Sequence, residues 1–319
     1  METVFWSLVL AAGLALLVKG ADLFVDGAGG LAAGLGIPQL VIGLTVVAMG
    51  TSMPEAAVSI SAVIKGNAEI TIGNVVGSNI LNILIILGLS AVIIPLAVEK
   101  NTIRCELPFL TGVSILLLLQ GLDGEIGLLD GMIQVVLFGV YLVYLFAQAR
   151  KNRKENGKED GKENEKEAAN KQVRNVWQLI LLCILGLVMT VAGSSLAVDA
   201  ASEIAVKLGM SQRLIGLTIV ALGTSLPELV TSVTAAKKGK PDIAIGNIVG
   251  SNIFNILFVV GISALIYPVA FAEGFRFDSI VSAAAALMLI LFCAKEKKLK
   301  RWQGILMLAV YGLYFLVIL

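Results

Sequence analysis

Histidine is absent from all 319 residues. With it go histidine-ligated zinc, haem held by an axial histidine and every catalytic arrangement that needs an imidazole base. Cysteine is scarce as well: Cys105, Cys183 and Cys293 lie scattered near or within apolar segments, without metal-ligand spacing, and read as small apolar residues. Charged residues make up only 15% of the chain against 57% hydrophobic, with a mean hydropathy of +0.91. That mix is too apolar for a soluble domain whose surface must face water. No GxxxxGK[ST] run precedes a helix, and the glycines of GAGGLAAGLG, Gly27 to Gly36, are better explained by close helix packing. No nucleophile, base and cofactor combine into an enzyme's equipment, so no cofactor is expected. A net charge of +1 implies neither a nucleic-acid nor a protein partner.

What is present is apolar sequence in long runs. Stretches near or above the roughly 20 residues needed to cross a bilayer recur at 4–27, 39–64, 70–94, 105–121 and 128–148, and again at 176–198, 212–236, 243–268, 278–294 and 303–319. They are too long and too continuously apolar for membrane strands, so the fold class is an all-α integral membrane protein of ten transmembrane helices in the lipid bilayer. The first stretch lacks a basic leader and a cleavage site and is taken as the first helix. With the N-terminus outside, the loops after helices 1, 3, 5, 7 and 9 hold 0, 2, 9, 3 and 5 Lys plus Arg, while the opposite loops hold only Lys65, Lys207, Arg213 and Arg276. This bias places both termini outside the cell membrane and the hydrophilic segment 150–174 in the cytoplasm as a flexible linker, with its interspersed charges offering little for a regulatory role.

The chain also repeats itself. VIGLTVVAMGTSMPEAAVSISAVIKGNAEITIGNVVGSNILN from Val41 aligns without a gap with LIGLTIVALGTSLPELVTSVTAAKKGKPDIAIGNIVGSNIFN from Leu214, an offset of 173 residues that also pairs Asp26 with Asp199 and Gly131 with Gly304. Residues 1–149 and 175–319 thus form two halves of five crossings each. An odd number of crossings sends the second copy in from the opposite side, so the repeats are inverted, the architecture that exposes a midplane site to either side in turn. Duplication merely to enlarge a bundle does not explain why the most faithfully repeated segments are the most polar.

Thr51, Glu55 and Ser59 share one helix face at spacings of four, as do Thr224, Glu228 and Ser232; Asn74, Ser78 and Asn82 form a second stripe that Asn247, Ser251 and Asn255 repeat. A carboxylate facing hydrocarbon costs about 2.5 to 3.5 kcal/mol even on the lenient insertion scale, so Glu55 and Glu228 face a protein interior or a wet cavity. No lysine or arginine lies in the repeated core to pair with them, which makes a cation the natural third member. Pro54 and Pro227 break their helices and free carbonyls around Gly50 and Gly223. The resulting all-oxygen shell, without sulfur or imidazole, suits hard ions such as calcium and sodium. Glycines at 50, 73, 77, 223, 246 and 250 allow close approach of the helices. For any single Ser, Thr or Asn, gluing helices together is the competing explanation.

GTSMPE at 50–55, GTSLPE at 223–228, GNVVGSNILN at 73–82 and GNIVGSNIFN at 246–255 resemble the two alpha repeats of sodium/calcium exchangers in the cation/calcium antiporter superfamily. The resemblance covers essentially all ten helices. It implies a secondary antiporter in which helices 2, 3, 7 and 8 bind ions and helices 1 and 6 slide across them. It also implies that calcium is coordinated by Glu55, Glu228, Thr51 and Thr224 with the carbonyls of Ala48 and Ala221. Sodium would use overlapping oxygens, with Ser52, Ser78, Ser225 and Ser251 beside the same glutamates and carbonyls, and Asn82 at the centre. Asn255 departs from relatives that carry aspartate there, which speaks against potassium dependence and leaves the role of that position open. The main alternative is a proton/calcium antiporter of the same superfamily, whose GNxxE motif is absent here; a cation channel is a second, which inverted repeats do not favour.

Overall fold

The computed structural model describes residues 2–159, 175–209 and 221–318. Among them, helices dominate: α1 (Glu2–Leu35), α2 (Gln39–Thr51), α3 (Met53–Ile64), α4 (Ile70–Ile93), α5 (Thr102–Asp123), α6 (Leu128–Glu159), α7 (Val176–Lys207), α8 (Ala221–Thr224), α9 (Leu226–Lys237), α10 (Pro241–Ile266), α11 (Glu273–Ala294) and α12 (Arg301–Ile318). Eight of the described helices are long and apolar enough to cross a membrane, or nine if α2 and α3, bent by 48° at Ser52, count as one span. The protein is therefore an all-helical, multi-span membrane protein. The seventh expected crossing, 212–236, falls partly outside the described residues, as does most of the hydrophilic segment 150–174.

Three helices run well past their expected C-terminal ends, among them α7, which continues from 198 to Lys207. α1 continues through the glycine run to Leu35, and stops only where Gly36 takes a left-handed φ of 62°. α6 continues beyond residue 149 to Glu159, because Lys, Arg and Glu are good helix formers and each added residue gains a bond on an existing helix.

Several contacts across the molecule come in pairs that map onto each other at the 173-residue offset. α1 and α7 cross antiparallel at backbone distance. A Cβ on Gly13 would meet the Ala197 nitrogen at 2.8 Å, one on Gly20 the Thr190 nitrogen at 2.5 Å, and one on Gly193 the Gly13 oxygen at 2.8 Å. Glycine is the residue that permits such an approach, and here the glycines of both halves interlock. Gly131 lies against the carbonyl of Gly261, and Gly304 against that of Gly88.

Four two-residue strands, β1 (Leu96–Ala97), β2 (Glu125–Ile126), β3 (Val269–Ala270) and β4 (Lys298–Leu299), make two antiparallel ribbons, β1 with β4 and β2 with β3. The first ribbon joins the α4–α5 loop to the α11–α12 loop; the second joins α5–α6 to α10–α11. Loops of the two halves are thus pinned to one another at opposite ends of the bundle. Apolar residues of α4 and α10, such as Ile72, Ile80, Ile248 and Ile253, are wholly buried and surround the polar centre.

Candidate functional site

The bend between α2 and α3 sits on Ser52, whose φ and ψ of −84° and 7° leave the helical region; Ser225, between α8 and α9, repeats it at −88° and 5°. Pro54 and Pro227 fall in the first turn of the helix that follows, where a missing N–H costs nothing because that donor has no intrahelical partner. The kink thus turns two hydroxyls and two carboxylates toward the middle of the molecule. Glu55 is 1% exposed and Glu228 0%.

Each break serves the opposite carboxylate. The Ser52 hydroxyl donates to Glu228 Oε1 at 2.8 Å, and the Ser225 hydroxyl donates to Glu55 Oε1 at 3.2 Å. Asn74 donates to the Glu55 carbonyl and the Ser59 hydroxyl, at 3.1 and 2.8 Å; Asn247 does the same for Glu228 and Ser232, at 3.3 and 2.9 Å. These two asparagines fix the helix backbones that carry the glutamates and spend their amide protons doing so. Thr51 is buried and donates to Asn247 Oδ1 at 3.0 Å.

Four amides close the centre. Asn79 and Asn252 donate to each other's carbonyls, both at 3.2 Å, while Asn82 donates to Asn252 Oδ1 at 2.9 Å and Asn255 donates to Asn79 Oδ1 at 3.2 Å. The sequence pointed to Asn82 and Asn255 and gave no role to Asn79 and Asn252. Their only signal was their place in the repeated GSN triplets. Asn82 and Asn255 each open a stretch of wider π turns, Asn82–Leu87 and Asn255–Val260, a local irregularity that often accompanies a functional site and that periodicity does not reveal.

What the network leaves over is chemically one-sided. Glu55 Oε2, Glu228 Oε2, Asn82 Oδ1 and Asn255 Oδ1 are buried and without a hydrogen-bond partner, and all four are acceptors. A buried polar atom without a partner is costly, and acceptors alone can be satisfied only by a donor or a cation. Of the residues named from sequence, Ser52 and Ser225 are bonded to Glu228 and Glu55, Thr51 to Asn247, and Asn82 and Asn255 to Asn252 and Asn79. The Ala48 oxygen already receives the Ser251 hydroxyl and the Ser52 N–H, at 3.3 and 3.0 Å, and the Gly223 oxygen receives the Ser194 hydroxyl of α7 at 2.8 Å. With two bonds accepted, the Ala48 oxygen becomes free for another partner when the Ser251 hydroxyl rotates away, while the Gly223 oxygen keeps a second lone pair. Ser78 is buried. Thr224 is half-buried and, with Gly223 and Pro54, lines a cavity of about 470 Å³ between α3 and α7.

Fold and site together define a polytopic helical membrane protein with two buried carboxylates and a set of buried amide and hydroxyl groups around its centre. The chain belongs to the sodium/calcium exchanger protein family, which it matches over residues 5–147 and 178–319. It is similar to the putative antiporter CaxA of Alkalimonas amylolytica, 41% identical over 313 residues and 96% of each chain. The sodium/calcium exchanger MaX1 of Methanosarcina acetivorans is 36% identical, with 98% of this chain and 97% of that one covered. Among solved structures, the sodium-calcium exchanger NCX_Mj soaked with zero Na+ and Ca2+ superposes with a TM-score of 0.84 at 35% identity, covering 99% of this chain and all of the other. The same exchanger soaked with 2.5 mM Na+ and 10 mM Sr2+ gives 0.83 at 35%, covering 98% of each chain.

Proposed function

We propose that the protein is a secondary antiporter that exchanges calcium for sodium across the cell membrane, with both ions competing for oxygens around Glu55 and Glu228. The observation that carries this reading is the set of four buried acceptors without a partner, two of them carboxylate oxygens from equivalent places in the two halves. Two carboxylates balance one divalent cation, and calcium accepts six to eight oxygen ligands in irregular geometry, which carboxylates, amides, hydroxyls and carbonyls can supply. Calcium would take Glu55, Glu228, Thr51, Thr224 and the carbonyls of Ala48 and Ala221. Sodium ions would share the glutamates and carbonyls and add Ser52, Ser78, Ser225 and Ser251, with Asn82 and Asn255 at the centre.

Coupling follows from this overlap. The empty, doubly negative site resists being carried past the hydrophobic barrier, and a load of either kind relieves it, so only filled states change access. Ten crossings in two inverted five-helix repeats, residues 1–149 and 175–319 with 150–174 as a cytoplasmic connection and both termini outside, provide two related access states. The reciprocal hydrogen bonds and the two ribbons support that arrangement, since each contact recurs with the halves exchanged.

Calcium binding to the purified protein, titrated at increasing sodium, tests the proposal. The expected result is a calcium Kd that rises with sodium. Simultaneous saturation by both ions without interference contradicts it.

A further inference from the structure

Among the contacts that are not mirrored is an ionic one. Where α9 ends and α10 begins, Lys238 Nζ lies 3.2 Å from Asp22 Oδ1 and 2.9 Å from Asp26 Oδ2, and Lys240 Nζ lies 3.5 Å from Asp26 Oδ1. Both ammonium groups also donate to α1 carbonyls, Lys238 to Asp22 at 2.9 Å and Lys240 to Val25 at 3.1 Å. Gly29 makes room for this: a Cβ there would stand 2.5 Å from Lys240 Nζ. At the 173-residue offset the counterparts of Asp22, Asp26, Lys238 and Lys240 are Ser195, Asp199, Lys65 and Asn67. Asp199 and Lys65 are exposed and, among the described residues, form no ion pair with each other. Between their helices, α7 and α3, lies the cavity of about 470 Å³, lined by Ala57, Ser195 and Asp199 and reaching Thr224 of the proposed site. Where α1 meets α9, by contrast, the helices are packed together.

We infer that Lys238 and Lys240, clamped on Asp22 and Asp26, form an ionic latch that holds one access path shut, and that Lys65 with Asp199 forms the weaker latch of the opposite state. The inference rests on the exchange reading of the site, and specifies what sets the balance between its two states. α1 and α7 interlock through glycine at backbone distance and so move as one slab. When the slab leans on α9 it leaves α3, and the cavity on that side opens. When it leans on α3, Asp199 approaches Lys65 and the two lysines release Asp22 and Asp26. Two lysines on two aspartates oppose one lysine on one aspartate, so the latch favours the state seen here. The four side chains are partly exposed, with Lys238 and Lys240 27% and 21% accessible. Solvent-screened pairs of this kind shift an equilibrium by about three- to tenfold and do not freeze it, which a cycling transporter requires.

The test uses the full chain in proteoliposomes with Cys105, Cys183 and Cys293 replaced by alanine and the pair Ala57→Cys, Ser195→Cys introduced across the cavity. Oxidative crosslinking of this pair reads the population in which α7 has closed on α3. Removing the latch by Lys238→Gln with Lys240→Gln, or by Asp22→Asn with Asp26→Asn, should speed crosslinking about three- to tenfold. Asp199→Asn should slow it. Equal rates in all these backgrounds overturn the latch. Sodium-driven calcium uptake is measured on the same vesicles before oxidation: its absence in the chain without these changes defeats the exchange reading separately, while the crosslinking rates still score the latch.

Discussion

The centre of the molecule and its two mouths obey different rules. At the centre the bonds from Ser to Glu and between the amides have their counterparts 173 residues on: Ser52 to Glu228 and Ser225 to Glu55, Asn82 to Asn252 and Asn255 to Asn79. At the mouths the correspondence breaks, with Asp26 held by two lysines and Asp199 by none among the described residues. On the exchange proposal, the groups that would hold cargo are duplicated because the site would serve both sides of the membrane in turn. The groups that bias which side is open need not match, and a difference between them gives the cycle a resting state.

The largest expected effect breaks the centre. Glu55→Ala and Glu228→Ala should each lower sodium-driven calcium uptake in proteoliposomes by a hundredfold or more (~100-fold), because each leaves a single carboxylate facing a divalent ion in a dry site. Near-normal flux in either variant would remove the proposed site. Equal losses support the equivalence of the halves.

A smaller loss comes from the crossing hydroxyls. Ser52→Ala and Ser225→Ala each delete one hydrogen bond to a buried carboxylate, worth about 1.5 kcal/mol at the low end for bonds to charged groups, and calcium affinity should fall roughly tenfold. Isothermal titration of the purified variants checks this, and an unchanged Kd would show that these bonds are not part of the bound state. Sharper still is the comparison of Asn82→Asp with Asn255→Asp. Each replaces an amide that donates, to Asn252 Oδ1 at 2.9 Å or Asn79 Oδ1 at 3.2 Å, by a carboxylate that must carry a proton or a cation to stay beside that oxygen. Both variants should make exchange depend more strongly on sodium concentration and on pH, readable from uptake at varied pH. Identical ion dependence to the parent chain would strip these positions of a role in the driving ion.

Packing gives the next step down. Gly131→Ala and Gly304→Ala would place a Cβ 2.8 Å from the Gly261 oxygen and 2.5 Å from the Gly88 oxygen, so each should cost about 1 to 3 kcal/mol of stability. Lower Tm values in detergent, larger for Gly304→Ala, are expected; no change in either would mean that the helices separate freely there. The smallest effect concerns the ribbons. The carbonyl of Gly124, at φ 102°, accepts from the Phe271 N–H, and that of the equivalent Lys297, at φ 50°, accepts from the Val98 N–H. Lys297→Gly should therefore stabilise by about 0.5 kcal/mol, the strain of a side chain in the left-handed region less the entropy glycine loses. A fall in Tm would place some other value on the lysine.

Much of this arrangement was legible in the sequence because it is written twice. The offset that aligned Glu55 with Glu228 is the one that relates their hydrogen bonds, and the charge-free surroundings of the two acids pointed to carboxylates without a cationic side chain beside them. Periodicity could not reach the rest. Asn79 and Asn252 matter through each other, and a pairing across 173 residues leaves no local trace. Ser194 caps the carbonyl of Gly223, whereas its counterpart Ala21 has no hydroxyl to offer Gly50, a difference that means nothing until α7 is seen against α8. The same holds for Lys238 and Lys240, which read as ordinary loop charges until α1 is placed beside them.

The central claim is that calcium moves because sodium takes its place among shared oxygens. Calcium uptake into proteoliposomes, with sodium and proton gradients imposed separately, tests it most directly. Uptake should follow an outward sodium gradient, persist when the pH is equal on both sides, and vanish in Glu55→Ala. Uptake driven by a proton gradient alone, with sodium absent, would contradict the account.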